Sequence, residues 1–313
     1  MLKIAITGST GMVGERLVQS LTEQGNEIYR VVRSQQVTFR EPTIAWDPDR
    51  MFIDKQQLEG MDVVIHLAGA PIHKRWTKRQ KEKIISSRVQ TTELLSQTFA
   101  QLKHPPRCLL SASAIGYYGN QPFSRLLDET SEQGSGFLAD LVQQWEAATT
   151  TAVEAGIRVV LDRKAGALPQ IVTPFRWGLG GKLGTGRQTI SWVTLDEVPA
   201  IIEFLLAHEE IKGAVNVVSP EPVTNYRFTK ILGDVLQRPT IFTFPAWLLK
   251  LVFGARAEEL MCAGNRVAAK KLLDAGYSFH DKDLRQTLEK IFTKSSKKKV
   301  DIVVDHHVSV DGK

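Results

Sequence analysis

Lys3-Ile4-Ala5-Ile6-Thr7 runs directly into Gly8-Ser9-Thr10-Gly11-Met12-Val13-Gly14, and beyond that turn Val13, Leu17, Val18 and Leu21 recur at helical spacing. A short apolar strand, a glycine turn and an amphipathic helix, in that order, open a βαβ unit. The spacing Gly-x-x-Gly-x-x-Gly answers a steric demand. One glycine permits the tight turn, another lets backbone N–H groups approach a pyrophosphate, and a third lets helix and strand pack closely. The helix N-terminus adds partial positive charge where phosphates would lie. With a second strand at 27–33, the segment reads as a dinucleotide-binding turn rather than a plain βα connection.

Outward from this turn, β-rich runs follow at 43–46, 62–67, 107–113 and 157–161, and helical periodicity fills 13–23, 76–102 and 137–155. Continuous apolar strands such as Val63-Val64-Ile65, alternating with amphipathic helices, imply a parallel sheet covered on both faces. Right-handed crossovers make this an α/β fold with a Rossmann-type doubly wound sheet, its ligands at the carboxyl ends of the strands. The character changes after the glycine-rich run 178–186: a helix at 195–208, a strand near 214–218, a helix at 225–236, then Pro239 and Pro245 before a mostly helical end. The expected division is a Rossmann domain at 1–220, a small substrate-side lobe at 221–293 and a polar tail at 294–313.

A chain of 313 residues, 42% hydrophobic and 24% charged, can bury a large core. Glu15, Arg16 and Glu23 interrupt the first helix, so no signal peptide is expected, and no apolar run reaches membrane length. Cys108 and Cys262 lie far apart in no metal or redox spacing, which fits a reducing cytoplasm. The net charge of +6 raises the question of nucleic acid. Much of the excess sits in Lys74–Lys83, the start of a helix whose apolar face is Trp76, Ile84, Ile85 and Val89, and in Lys297-Lys298-Lys299. The first stretch is either a solvated basic face or an anion-attracting rim over a cofactor cleft; the second belongs to the tail. Neither brings a nucleic-acid module, and His306-His307 could bind metal but, as adjacent histidines in a tail, reads as a solvated pair. The partner expected is a small molecule, not a nucleic acid or a membrane, and nothing indicates an oligomer.

The end of the second strand discriminates between cofactors. A carboxylate there would grip the ribose hydroxyls and repel a 2′-phosphate, but the chain has Val32, Arg33 and Ser34. A guanidinium and a hydroxyl suit a phosphate dianion, so NADP(H) is expected over NAD. The alternative is that Arg33 is one more exposed loop arginine.

The segments TGSTGMVG, VVIHLAGAPI, KRWT, SSRVQTTELL, SASAIGYYG, FLADLVQQWEAA, PFRWGLGGKLGTGRQ, ISWV with LDEV, and PVTN together resemble the YfcH-type "epimerase family" proteins, an atypical branch of the extended short-chain dehydrogenase/reductases. The resemblance runs from Met1 to about Phe292. It implies a Rossmann-type NADP-binding domain with a small C-terminal helical lobe, and an oxidoreductase or epimerase whose substrate the family leaves undefined. By position it puts Gly8, Ser9, Thr10, Gly11, Met12, Val13 and Gly14 at the pyrophosphate and Arg33 and Ser34 at the 2′-phosphate. Leu67, Ala68 and Gly69 fall against the adenosine. Arg88 either reaches toward the cofactor or is an ordinary surface arginine. Ser113, with Tyr117 or Tyr118, falls beside the nicotinamide, where a hydroxyl pair could polarise a carbonyl and pass a proton.

Typical short-chain dehydrogenases carry Tyr-x-x-x-Lys on the next helix, the lysine lowering the tyrosine pKa. The stretch Phe137-Leu138-Ala139-Asp140-Leu141-Val142-Gln143-Gln144-Trp145-Glu146 has neither residue, an absence that the family shares. Particular to this chain, Asp162-Arg163-Lys164-Ala165-Gly166-Ala167-Leu168 looks shortened beside the family's Arg-x-Gly strand end, and Thr194 stands where a histidine is common. No G-x-x-x-x-G-K-[ST] loop, Gly-x-Ser-x-Gly elbow or His-Glu-x-x-His is present. Asp128-Glu129 reads as a loop or helix cap and Asp196-Glu197 as a helix cap. The expected function is hydride transfer at a hydroxyl or carbonyl carbon of a small metabolite. The alternative is a non-catalytic NADP(H)-binding regulator or redox sensor.

Overall fold

The computed structural model describes residues 1–33, 40–164, 168–254 and 257–294. Its frame is an eight-stranded sheet. In chain order the first strands and helices are β1 (Lys3–Thr7), α1 (Met12–Glu23), β2 (Glu27–Arg33), β3 (Thr43–Asp47), β4 (Phe52–Ile53), α2 (Lys55–Leu58) and β5 (Val63–His66). Next come α3 (Lys78–Ser86), α4 (Val89–Phe99), β6 (Cys108–Ala114), the short β7 (Leu126–Leu127), α5 (Phe137–Ala147), α6 (Thr150–Glu154) and β8 (Arg158–Lys164). The sheet order is β11-β8-β6-β5-β1-β2-β3-β4, with β11 at Gly213–Val217, and only β3–β4 is antiparallel. The chain leaves β1 toward β2 and β3, then returns to β5 on the other side. That reversal puts the crevice between the ends of β1 and β5.

Alternate side chains of the strands feed two cores, as a doubly covered parallel sheet requires. Ile4, Ile6, Val63 and Ile65 pack with Leu17 and Leu21 of α1 and with Val198, Ile201 and Leu205 of α8 (Glu197–Ala207). Ala5, Val64 and Leu109 face the other way, onto Leu94, Leu95 and Phe99 of α4 and Ala152 of α6.

The helical stretch expected at 76–102 is two helices. Ser87 Oγ accepts the Ala70 N–H at 2.8 Å, and the Arg88 N–H bonds to Ile85 O at 3.0 Å, tightening the turn. The break turns Arg88 inward. Asp196 does not cap α8 through its side chain; it pairs with Arg16 at 2.6 Å. Glu197 is buried, accepting from Tyr277 Oη at 2.6 Å and from the Asp281 N–H at 2.9 Å.

A third core, with Val172, Phe175, Trp192, Val223, Phe228, Leu232 and Leu288, forms the lobe. It draws on chain both before and after α8 and β11. It includes α7 (Leu168–Arg176), β9 (Gly181–Leu183), β10 (Thr189–Ile190), β12 (Val223–Thr224), α9 (Asn225–Leu236), β13 (Phe242–Phe244) and α10 (Ala246–Phe253). β10 pairs with β12 and β13 with β9, while β14 (Arg266–Val267) returns to pair with β7. Val267, Leu272, Tyr277 and Phe279 belong to the sheet's own core. A single cut at 220 therefore does not separate the lobe from the sheet: the chain crosses between them repeatedly. The tail beyond Lys294, residues 165–167 of the shortened stretch 162–168, and Ser34 lie outside the described residues.

Candidate functional site: a cavity over the switch point

The glycine turn sits hard against the end of β5. A Cβ on Gly8 would lie 2.8 Å from the Leu67 carbonyl carbon, and Gly8 has φ +66. A Cβ on Gly14 would lie 2.2 Å from Gly8 O, so α1 and the turn can meet only without a side chain there. Gly11 has an ordinary φ of −77, stands at the start of α1 and lines the cavity.

A buried polar knot holds this junction. Thr7 Oγ1 accepts the N–H groups of Leu67 (3.1 Å) and Ala68 (3.2 Å), so its own proton points to His66 Nδ1 at 2.6 Å. His66 Nε2–H then donates to Thr91 Oγ1 at 3.2 Å. Burial, with the nearby Arg88 charge, pulls the His66 pKa down to about 3, so the ring is neutral. On the other side of the turn Arg30, also buried, donates to Ser9 O at 3.1 Å and pairs with Glu15 and Glu41.

The cavity, of about 1130 Å³, extends from the glycine turn to the lobe. Gly8, Gly11, Met12, Val13, Gly14, Leu67, Ala68, Gly69, Arg88 and Ser113 all line it. Ser9 is buried within the turn and Thr10 is exposed. Arg88 is not a surface residue: its Nη1 donates to Ala70 O at 3.0 Å, and its guanidinium lies over the Trp145 ring and against Gly69. Arg33 is exposed at the end of β2 and is not among the residues that line the cavity.

At the far end, Ser113 Oγ donates to Glu146 Oε1 at 2.6 Å. Glu146 is held by Arg163 through Nε–Oε1 and Nη2–Oε2, both 2.6 Å. Burial of Arg163 works against its charge, but the Glu146 bonds outweigh that and raise its pKa. The two tyrosines stand behind this pair. Tyr118 is fully buried, its Oη 2.9 Å from Asp128 O, 2.8 Å from Asn216 Oδ1 and accepting from Arg163 Nη1 at 3.1 Å. Burial pushes its pKa up, partly offset by Arg163. Tyr117 stacks on the Arg163 guanidinium at 3.6 Å. Neither tyrosine lines the cavity, in contrast to the sequence expectation that one of them would meet the substrate: the phenol of Tyr118 is saturated within the protein.

The face of α5 turned to the cavity is Leu138, Leu141, Val142 and Trp145. A tyrosine–lysine pair four residues apart would need such a face, and here Leu138 and Val142 occupy that spacing. Among the described residues, the lysine that lines the cavity is instead Lys164, at the end of β8 and level with Ala114 in the register. Its Nζ lies 2.8 Å from Asp162 Oδ2, a carboxylate with no exposure. Among the described residues no cluster of three metal-ligating side chains occurs, and no helix is long and apolar enough to cross a membrane.

This cavity belongs to a chain with clear relatives. Residues 4–137 match the NAD dependent epimerase/dehydratase family, and 244–291 match a domain of unknown function, DUF1731. The epimerase family protein ML0860 of Mycobacterium leprae is 35% identical over 302 residues, 94% of this chain and 96% of that protein. The chain belongs to the epimerase family. Another epimerase family protein, YfhF of Bacillus subtilis, is 31% identical over 93% of this chain and 98% of its own. The crystal structure of human epimerase family protein SDR39U1 (isoform 2) with NADPH has a TM-score of 0.83 at 27% identity, covering 93% of this chain and 99% of that one.

Within this epimerase family chain, sequence reasoning overlooked Glu146, Arg163, Lys164, Asp162 and His66 as parts of the site. A signal was present for three of them. Asp162-Arg163-Lys164 puts three successive charges at the carboxyl end of an otherwise apolar strand, where a doubly wound sheet holds its ligands.

Proposed function

We propose that the chain is an NADP(H)-dependent oxidoreductase or epimerase-like enzyme that transfers hydride at a carbonyl or hydroxyl carbon of a small molecule. One observation carries this reading: the glycine turn, placed at the switch point, and Ser113, held by Glu146, open into the same cavity. The residues present suit a dinucleotide. Gly11 leaves the start of α1 open toward the cavity, and Gly69 leaves the end of β5 bare beside Arg88. When bound, the cofactor would supply or accept the hydride. The NADPH of the human relative supports the same choice, and Arg33 at the end of β2 is our assignment for the 2′-phosphate.

The chain's own residues then have to place the substrate and manage one proton. In the reducing direction the carbonyl carbon gains a hydride and the oxygen gains a proton. Ser113 Oγ, its proton directed to Glu146, accepts a hydrogen bond from the hydroxyl of the alcohol, the product of reduction and the substrate of the reverse reaction. The Lys164 ammonium, steadied by Asp162, offers a proton and a positive charge for the developing alkoxide. The apolar face of α5 favours a second reading, a cofactor-binding regulator without fast turnover, since Leu138 and Val142 can move no proton.

The test is a pair of titrations. NADPH should bind more tightly than NADH, and Arg33→Ala should remove most of that preference together with its salt dependence. A parent protein that prefers NADH overturns the 2′-phosphate assignment. Cofactor binding without hydride transfer to any carbonyl in a broad set favours the regulator.

A further inference from the structure

The cavity wall that the lobe contributes differs in chemistry from the wall that the sheet contributes. Phe175, Leu179, Phe228, Phe244, Leu249 and Met261 line it. Among the described residues on that wall, Glu259 alone carries a charged side chain, and its carboxylate accepts the N–H groups of Phe137 (3.2 Å) and Leu138 (3.0 Å), capping α5. The cations lining the cavity, Arg88 and Lys164, stand on the sheet side. A nucleoside diphosphate brings two negative charges that need arginine or lysine partners when taken out of water. The lobe wall offers none among its described residues.

The polar side chains of that wall, Gln188, Thr189, Ser191, Asn225, Thr229 and Asn265, are uncharged, and Gln188, Ser191 and Asn225 spend hydrogen bonds on the chain itself. Thr189 Oγ1 and Asn265 Oδ1 have no hydrogen-bond partner, and Thr189 is 5% exposed. A hydroxyl donor and an amide oxygen suit a single carbonyl or hydroxyl group on an otherwise apolar ligand. Helix α10 continues the same character. Leu249 and Phe253 of α10 line the cavity, while Trp247, Leu251 and Val252 of the same helix are exposed.

From this wall we infer the substrate class: a carbonyl compound with an apolar, aromatic or branched aliphatic skeleton, and not a sugar nucleotide. The inference rests on the cofactor reading above, and the experiment separates the two. Calorimetry on protein saturated with NADP⁺, which cannot reduce a ketone, would titrate 1-tetralone and UDP-glucose separately. The NADP⁺ titration itself tests the cofactor reading; should it fail, the same two probes titrated into the free protein still decide the substrate class. We expect 1-tetralone to bind and UDP-glucose to bind more weakly or not at all. Leu179→Lys, at an exposed position, and Met261→Lys, at a half-buried one, should weaken 1-tetralone by roughly tenfold or more with melting temperature and NADP⁺ affinity retained. Absence of 1-tetralone binding, tighter binding of UDP-glucose, or variants that bind 1-tetralone like the parent would overturn the inference.

Discussion

Arg163 on β8 and Glu146 on α5 share two hydrogen bonds of 2.6 Å, and the same carboxylate receives the hydroxyl of Ser113. Both members of the pair are nearly buried, at 4% and 12% side-chain exposure. Removing one charge leaves the other stranded in a low-dielectric setting. Glu146→Gln should therefore cost about 3–5 kcal/mol in urea unfolding, and pairing it with Arg163→Met should recover part of the loss. A single variant as stable as the parent would show that the pair does not hold this end of the sheet.

The glycines of the turn should part company under mutation. Gly14→Ala forces a methyl onto Gly8 O and should destabilise the fold, by about 1–3 kcal/mol. Gly11→Val keeps an allowed backbone but fills the cavity mouth, so the fold should stand and NADPH binding should fail. Circular dichroism with a fluorescence titration checks both, and normal NADPH affinity in folded Gly11→Val would remove the turn from the site.

Proton transfer should separate from the tyrosines. Tyr118→Phe leaves Asn216 and Arg163 short of a partner, so about 1–3 kcal/mol of stability should go while single-turnover hydride transfer persists. Ser113→Ala should slow transfer with NADPH affinity kept. Lys164→Met combined with Asp162→Asn, which avoids stranding the buried carboxylate, should slow transfer by about 10²-fold or more. Loss of transfer in Tyr117→Phe or Tyr118→Phe, with Lys164 dispensable, would return the proton to the phenols.

His66 should make the fold sensitive to acid. Its folded pKa is depressed from 6.5 to about 3, so between those values the unfolded chain binds a proton that the folded one refuses. Stability is full above about pH 6.5 and falls as pH drops toward 3, by about 1.4 kcal/mol per unit from this residue. The pH dependence of the unfolding free energy should flatten by that slope in His66→Gln, and equal slopes in the two proteins would discount the buried ring.

The alternation of apolar strand and amphipathic helix, and the turn Gly8–Gly14, were legible because each is a local pattern with a local cause. Period-two and period-3.6 burial set the layers, and sterics set the glycines. The lobe boundary was not legible in the same way, because Val172, Phe175 and Trp192 join Phe228 and Leu288 only after α8 and β11 have gone back to the sheet.

By itself, then, the sequence determined the parallel sheet and the glycine turn that follows its first strand. Tertiary structure alone decided which polar side chains face the cavity. Tyr117 and Tyr118 follow Ser113 closely in the chain, yet the short helix after β6 carries them behind the Glu146–Arg163 pair. Lys164, distant in sequence, reaches the cavity because parallel pairing sets it level with Ala114. Strand register and helix docking place side chains from remote segments together, and no local spacing encodes that meeting.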